Sequence, residues 1–158
     1  MSTSIRRVGL VADTHGLVRP ECLDVLAGVE LILHAGDVGG AHVLEALGRV
    51  APVHAVAGNT DLPGSGLPPV VALDVAGIAI HVSHGHELGA PTPLKLVCRY
   101  GADVLVYGHT HRALVERIGA QLVVNPGAAG PRRFQLVPSV AILTIERGRP
   151  EVEVRALA

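Results

Sequence analysis

Nine histidines stand against a single lysine, Lys95, in a chain of 158 residues. Where they fall matters more than how many there are. Six of the nine, with Asp and Asn among them, close short apolar runs: Asp13-Thr14-His15-Gly16, His34-Ala35-Gly36-Asp37, Gly58-Asn59-Thr60-Asp61, His84-Gly85-His86 and Gly108-His109-Thr110-His111. The donors are two carboxylates (Asp13, Asp37), four imidazoles (His15, His84, His109, His111) and the amide of Asn59. With no thiolate among them, they suit first-row divalent ions and not an Fe–S cluster or a thiolate zinc site. Seven donors exceed what one tetrahedral ion takes, but two ions about 3.5–4 Å apart with one bridging carboxylate use them all. Two dications set against two carboxylates and a bridging hydroxide leave about one positive charge. That residual suits a phosphate ester, and the hydroxide is the nucleophile needed for in-line attack on phosphorus.

Positioning these groups falls to the apolar runs. Arg7–Ala12, Leu31–His34 and Val53–Ala57 read as short buried strands. A helix from Pro20 to Ala27, opened by the proline and ended by Gly28, separates the first two. A second helix through Val43, Leu44 and Leu47 separates the next two. Strand, polar tip, helix, strand is the pattern of βαβ units in a largely parallel sheet, where ligands bind at the C-terminal strand ends. Further on, Val70–Val75 and Ile78–Ser83 flank Ala76-Gly77 as a hairpin. Pro91 to about Tyr100 is a helix and Val104–Tyr107 a buried strand. Alternating stretches near Leu114–Ile118, Gln121–Asn125 and Val140–Ile145 follow, with Glu151–Arg155 as an edge strand. The expected fold is α/β on the α+β boundary, two packed mixed sheets flanked by helices, with a parallel-rich front and an antiparallel back in one domain spanning residues 1–158.

Composition narrows the partners. Thirteen basic against fourteen acidic residues leave a formal charge of −1, and Phe134, Tyr100 and Tyr107 are the only aromatics. A groove that holds nucleic acid by charge and base stacking is disfavoured on both counts. No stretch approaches the roughly 18–20 apolar residues of a membrane span. The run Val8–Ala12 falls short of a signal-peptide core of about 7–15 residues, so a cytoplasmic location is expected. Cys22 and Cys98 form no metal-type pair and no disulfide framework. No Gly-x-x-x-x-Gly-Lys-Ser/Thr loop and no Gly-x-Ser-x-Gly elbow is present. The apolar composition leaves room for a self-associating surface, and hence for a homo-oligomer.

Read singly, each tip has a plainer explanation. Asp13 or Asp37 after a strand could be a helix N-cap or turn residue, and Asn59 beside Gly58 a turn. His84 continues the Ile78/Ile80/Val82 alternation and could be a core histidine. His109-Thr110-His111, framed by Gly108 and Arg112, makes a poor core segment. Read together, the tips favour ligands. His34 reads as a residue behind Asp37. His42, His54 and His81 carry no assigned function. Asp61 reads either as a loop-ordering carboxylate or as part of the chemistry. Arg132-Arg133 reads as a solvated turn, with a phosphate contact as the alternative, and Asn125-Pro126-Gly127 as a wall of the crevice.

The order Asp-x-His, Gly-Asp, Gly-Asn-x-Asp, His-Gly, Gly-His-x-His resembles the calcineurin-like metallophosphoesterase superfamily. The Asp13-Thr14-His15-Gly16 opening, His34-Ala35-Gly36-Asp37, His84-Gly85-His86 and Asn125-Pro126-Gly127 are similar to its small bacterial and archaeal phosphodiesterase branch. The resemblance covers nearly the whole chain. It implies an αββα sandwich, with one ion held by Asp13, His15 and His111, the other by Asn59, His84 and His109, and Asp37 bridging both. It implies manganese, with nickel, iron, cobalt and zinc as alternatives. The function so implied is a phosphodiesterase acting on a small or nucleotide-like phosphate ester.

One residue departs from the pattern. Many superfamily members have His as the third residue of Gly-Asn-x-Asp, aiding the transition state or protonating the leaving oxygen. Here it is Thr60, whose hydroxyl titrates far too high to deliver a proton near pH 7. His86, two residues beyond a ligand position, is the candidate substitute acid or phosphate contact. Asn59 and Asp61 complete the expected catalytic set. The alternatives are a phosphomonoesterase, a nuclease, or a non-catalytic scaffold, since the family resembles at its edges a retromer subunit that serves as a protein-interaction module.

Overall fold

The computed structural model describes residues 5–157. Chain order is β1 (Arg6–Val11), α1 (Pro20–Val25), β2 (Leu31–His34), α2 (Ala41–Gly48), β3 (Val53–Ala55), β4 (Val70–Val75), β5 (Ile78–Ser83), α3 (Pro93–Arg99), β6 (Val104–Val106), β7 (Leu114–Ile118), β8 (Gln121–Asn125), β9 (Ser139–Glu146) and β10 (Arg149–Ala156). Short 3-10 turns at Pro63–Ser65 and His86–Leu88 complete it.

Two five-stranded sheets form, ordered β10-β9-β1-β2-β3 and β4-β5-β6-β8-β7. Their facing sides bury one apolar layer. Val8 and Leu10 of β1, Leu33 of β2 and Leu143 of β9 meet Ile80 and Val82 of β5, Val104 and Val106 of β6 and Val124 of β8. Because side chains alternate across a strand, the residues between them point outward. Val11, Ile32 and Ile142 pack under α1 and α2 with Cys22, Leu26, Val43 and Leu47. Leu105 and Val123 pack under α3 with Leu96. The result is a helix–sheet–sheet–helix sandwich, as expected from the sequence.

The expectation of an antiparallel back half needs correcting. β5, β6 and β8 run parallel, with Ile80 opposite Val104 and Val104 opposite Leu122. Antiparallel pairing is confined to β4–β5 and β7–β8 in this sheet and to β1–β9–β10 in the other. β6 is only three residues, all buried, so no alternation marked its neighbours. Each sheet therefore has its own parallel core, and both present C-terminal strand ends to the site. At Ala76-Gly77 both residues have positive φ, 51° and 84°, the geometry of a two-residue hairpin turn. α3 starts later than Pro91, because Thr92 caps it by accepting from the Lys95 backbone N–H at 3.2 Å.

Candidate metal centre

The strand tips are stitched together by backbone before any side chain is considered. Asp13 N donates to Gly36 O (3.0 Å), His15 N to Asp37 O (3.0 Å) and Gly16 N to Val38 O (2.9 Å). The β1 and β2 tips thus continue as a ladder. Within the second sheet, Gly108 N donates to His84 O at 3.0 Å and ties the β6 tip to the β5 tip. His109 N then reaches over to Asp13 Oδ2 at 3.1 Å.

Five of the seven candidate ligands are held at left-handed backbone angles: Asp13 (53°), His15 (43°), Asp37 (55°), His109 (74°) and His111 (63°). Non-glycine residues seldom adopt this region, and such strain clusters at functional sites. Close approach also dictates glycine. A Cβ on Gly58 would land on Asp37 Oδ1, and one on Gly36 would come within 2.7 Å of His84 Nδ1.

Two ligand groups emerge, with donor atoms mutually within 4.8 Å: Asp13, His15 and His111, and Asp13, Asp37 and His84. Asp13 Oδ1 lies 3.6 Å from His111 Nε2 and 3.8 Å from His84 Nε2. Asp37 Oδ2 lies 3.3 Å from His84 Nε2 and 3.7 Å from His15 Nε2. Either carboxylate therefore reaches an imidazole of both groups. His15 and His111 face each other through Nε2 at 3.3 Å. Asn59 Oδ1 is 3.1 Å from His109 Nδ1, and the His109 ring stands edge-on to His84 at 5.1 Å. Asn59 and His109 sit beside these two groups.

Do these residues fit divalent ions? Asp13 Oδ1, His84 Nε2 and His111 Nδ1 are buried with no hydrogen-bond partner among the described residues, an arrangement that costs folding free energy unless something else satisfies it. His84 Nδ1–H donates to Ala35 O at 2.8 Å, which leaves the Nε2 lone pair free, as a metal-binding imidazole requires. The electrostatics agree. Burial pushes the Asp13 carboxyl up to about 7, and burial, helped by Arg133 and His15, pushes His111 down to about 4. Burial also acts to raise Asp37, but the adjacent His84 ring, 3.3 Å away, and the hydrogen bond from the Thr60 backbone N–H outweigh it and hold that carboxylate below its usual range. Burial likewise lowers His15 and His109, whereas at His84 the pull of Asp37 and Asp13 outweighs burial and raises it. Imidazoles gathered around buried carboxylates are the donor chemistry of a hard-to-borderline dication.

Supporting residues surround this cradle. His34 is fully buried and burial pushes it down to about 4. Its Nδ1 accepts from Gly36 N at 3.1 Å, so Nε2 carries the proton toward Thr14 Oγ1 at 3.0 Å, whose hydroxyl donates to Val38 O at 2.7 Å. These bonds place it between the β1 tip at Thr14 and the Gly36 turn. Asp61 accepts from the backbone N–H groups of Val38 (3.2 Å), Gly39 (3.2 Å) and Gly58 (2.8 Å), so its carboxylate ties the β2 and β3 tips together. His86 stands at the rim, 39% exposed, with its ring 5.3 Å from that of His84 and 6.3 Å from that of His109.

Two residues do more than the sequence announced. Asn125, fully buried, donates to Gly108 O (3.1 Å) and Thr110 Oγ1 (3.0 Å) and accepts from Gly127 N (2.9 Å). It braces the turn that carries His109 and His111. The available signal was a polar residue closing an otherwise apolar strand before Pro126-Gly127. His42, to which the sequence lent no role, bonds Gly16 O through Nε2 at 2.7 Å and anchors the β1 tip to α2.

The profile of the calcineurin-like phosphoesterase superfamily domain matches residues 7–148. The chain belongs to this superfamily. A probable metallophosphoesterase of Methanothermobacter thermautotrophicus is 33% identical, over 93% of this chain and 90% of its own. A phosphodiesterase of Methanocaldococcus jannaschii, MJ0936, is 24% identical over 89% of this chain and 94% of its own. Among solved structures, Vps29 of Entamoeba histolytica complexed with zinc superposes with a TM-score of 0.76 at 23% identity, covering 96% of this chain and 99% of that one. That last likeness is one of fold. The metallophosphoesterase sandwich, with a possible divalent-metal site at its strand ends, is thus the frame in which this protein works.

Proposed function

We propose that this protein is a dinuclear metal-dependent phosphodiesterase of the cytoplasm acting on a small or nucleotide-like phosphate ester, with manganese as the working ion. The observation that carries the reading is the convergence of orphaned, buried Asp13 Oδ1 and His84 Nε2 on a point shared with Asp37, His15 and His111. In this reading Asp13, His15 and His111 hold one ion, Asn59, His84 and His109 the other, and Asp37 lies between them. When bound, such a pair lowers the pKa of a water to make a nucleophile and draws charge from the phosphoryl oxygens.

The chain's own residues do the rest. Ala35 O fixes the ring of His84, and the Asn125 brace holds the turn that carries His109 and His111, so little reorganisation is needed. His86 at the rim, its ring 5.3 Å from that of His84, is placed to donate to a leaving oxygen and stands in for the histidine absent at Thr60. Asp61 is a positioning residue, acting through the backbone of the tips it joins.

A panel of cyclic nucleotides, aryl and alkyl diesters and monoesters, each with several divalent ions, tests this. Turnover of diesters above monoesters, greatest with manganese, is the expected result. Metal binding with no ester hydrolysed would replace the reading with the scaffold alternative.

A further inference from the structure

We propose that the cavity beside the metal cradle receives an apolar substituent of the phosphate ester; this rests on the phosphoesterase reading and adds the chemistry of the group the ester carries. The cavity encloses about 660 Å³ between the N-terminal end of α2 and the segment running from Thr60 to Leu67. That volume falls within the roughly 300–1,000 Å³ of small-molecule pockets, which are mostly apolar with a few polar groups. Its apolar walls are Val38, Ala41, Leu44, Leu62 and Leu67.

The lining's attachment to the candidate metal site sets the occupant. Val38 directly follows Asp37 and Thr60 directly follows Asn59, while Thr60 N donates to Asp37 Oδ1 at 2.9 Å. A phosphoryl group at Asp37 would therefore carry one of its substituents into this space. Charge sets the chemistry. No Lys or Arg lines the cavity, so a second phosphate or a polynucleotide backbone finds no counter-charge there. The single carboxylate, Asp61, already accepts three backbone N–H groups, so it has little left for a cationic ligand. Leu62 is 77% exposed at the rim, an apolar side chain that a bound group would cover. A neutral apolar group, such as an aryl ring, fits these walls and a polyanion does not.

Leu62→Asp and Ala41→Phe test the assignment, the first by charging the rim and the second by filling the space. Both residues are exposed, and circular dichroism checks that the fold survives. Two diesters with the same leaving group are compared, p-nitrophenyl phenyl phosphate and p-nitrophenyl methyl phosphate, alongside calorimetric titration of the metal-loaded protein with phenylphosphonate and methylphosphonate. We expect each variant to raise KM for the phenyl diester and weaken phenylphosphonate about tenfold, leaving kcat and both methyl compounds unchanged. Equal effects on phenyl and methyl compounds, or none, overturn the pocket while the phosphoesterase reading stands. Selective phenylphosphonate binding without hydrolysis of either diester upholds the pocket and removes the phosphoesterase reading. Neither binding nor hydrolysis removes both.

Discussion

His84 Nε2 lies 3.3 Å from Asp37 Oδ2, joining a strand of one sheet to the tip of the other. The contact is possible because His84 spends its Nδ1–H on Ala35 O, 2.8 Å away, and because Gly36 offers no Cβ to obstruct the ring. At this end of the apolar layer between them, the two sheets thus meet in a pair of unlike donors. Such a pair favours a cation between its members over either residue alone.

Replacing Asp37 by Asn removes the carboxylate that touches an imidazole of both groups. Turnover on an aryl diester should fall by roughly two orders of magnitude or more, with loss of bound metal. Elemental analysis of purified variant and wild type checks the second half of this prediction.

Asp13→Asn should separate stability from function. Burial raises Asp13 to about 7 from an ordinary 3.8, so between those pH values the folded chain holds a proton that the unfolded chain has lost. Its contribution to stability therefore declines as pH rises from about 4 to about 7. In the presence of chelator the variant should melt about 2–5 °C above the wild type at pH 7.5, with the gap closing toward pH 4. With manganese the order should reverse, because the wild type alone gains from the ion. Melting curves at several pH values, with and without metal, read both effects.

Much of the site was legible because its ligands close apolar runs. Val8–Ala12 ending in Asp13, and Val104–Tyr107 ending in Gly108-His109, announce a strand and the chemistry at its tip together. The sandwich followed from two sets of such strands, each with outward and inward residues. What stayed hidden was carried by backbone. Ala129 N donates to Ala12 O at 2.9 Å and Gly130 N to Asp13 O at 3.3 Å, closing the loop after Pro126 onto the β1 tip, yet no side-chain pattern encodes those contacts. Asp61 was legible as a loop-ordering carboxylate, but not the three amides it gathers from two different strand tips. β8 falls outside the expected antiparallel back because the chain passes through β7 before β8 pairs parallel with the three-residue β6, a pairing so short an apolar run does not specify.

Asn125→Ala would leave Gly108 O and Gly127 N without their buried partner. The expected loss is roughly 2–4 kcal/mol of stability, about 5–15 °C in Tm for a chain of this size. Turnover should fall further than stability at the assay temperature accounts for, because the His109–His111 turn loses its brace. Asn125→Asp, which retains the acceptor for Gly127 N, should recover part of the melting temperature.

With Thr60 unable to donate a proton near pH 7, esters with good leaving groups should react far faster than alkyl ones. Equal rates on an aryl and an alkyl diester would contradict that. His86→Ala should slow the alkyl diester by about tenfold or more and the aryl diester less. Unchanged turnover on both would remove His86 from the chemistry.

The pairing of ions at the strand ends is tested most directly by an anomalous difference map from a crystal grown with manganese. The account predicts two peaks, one contacting Asp13, His15 and His111, the other contacting Asn59, His84 and His109, with Asp37 touching both. No peak between these residues, or one bound elsewhere on the protein, would contradict it.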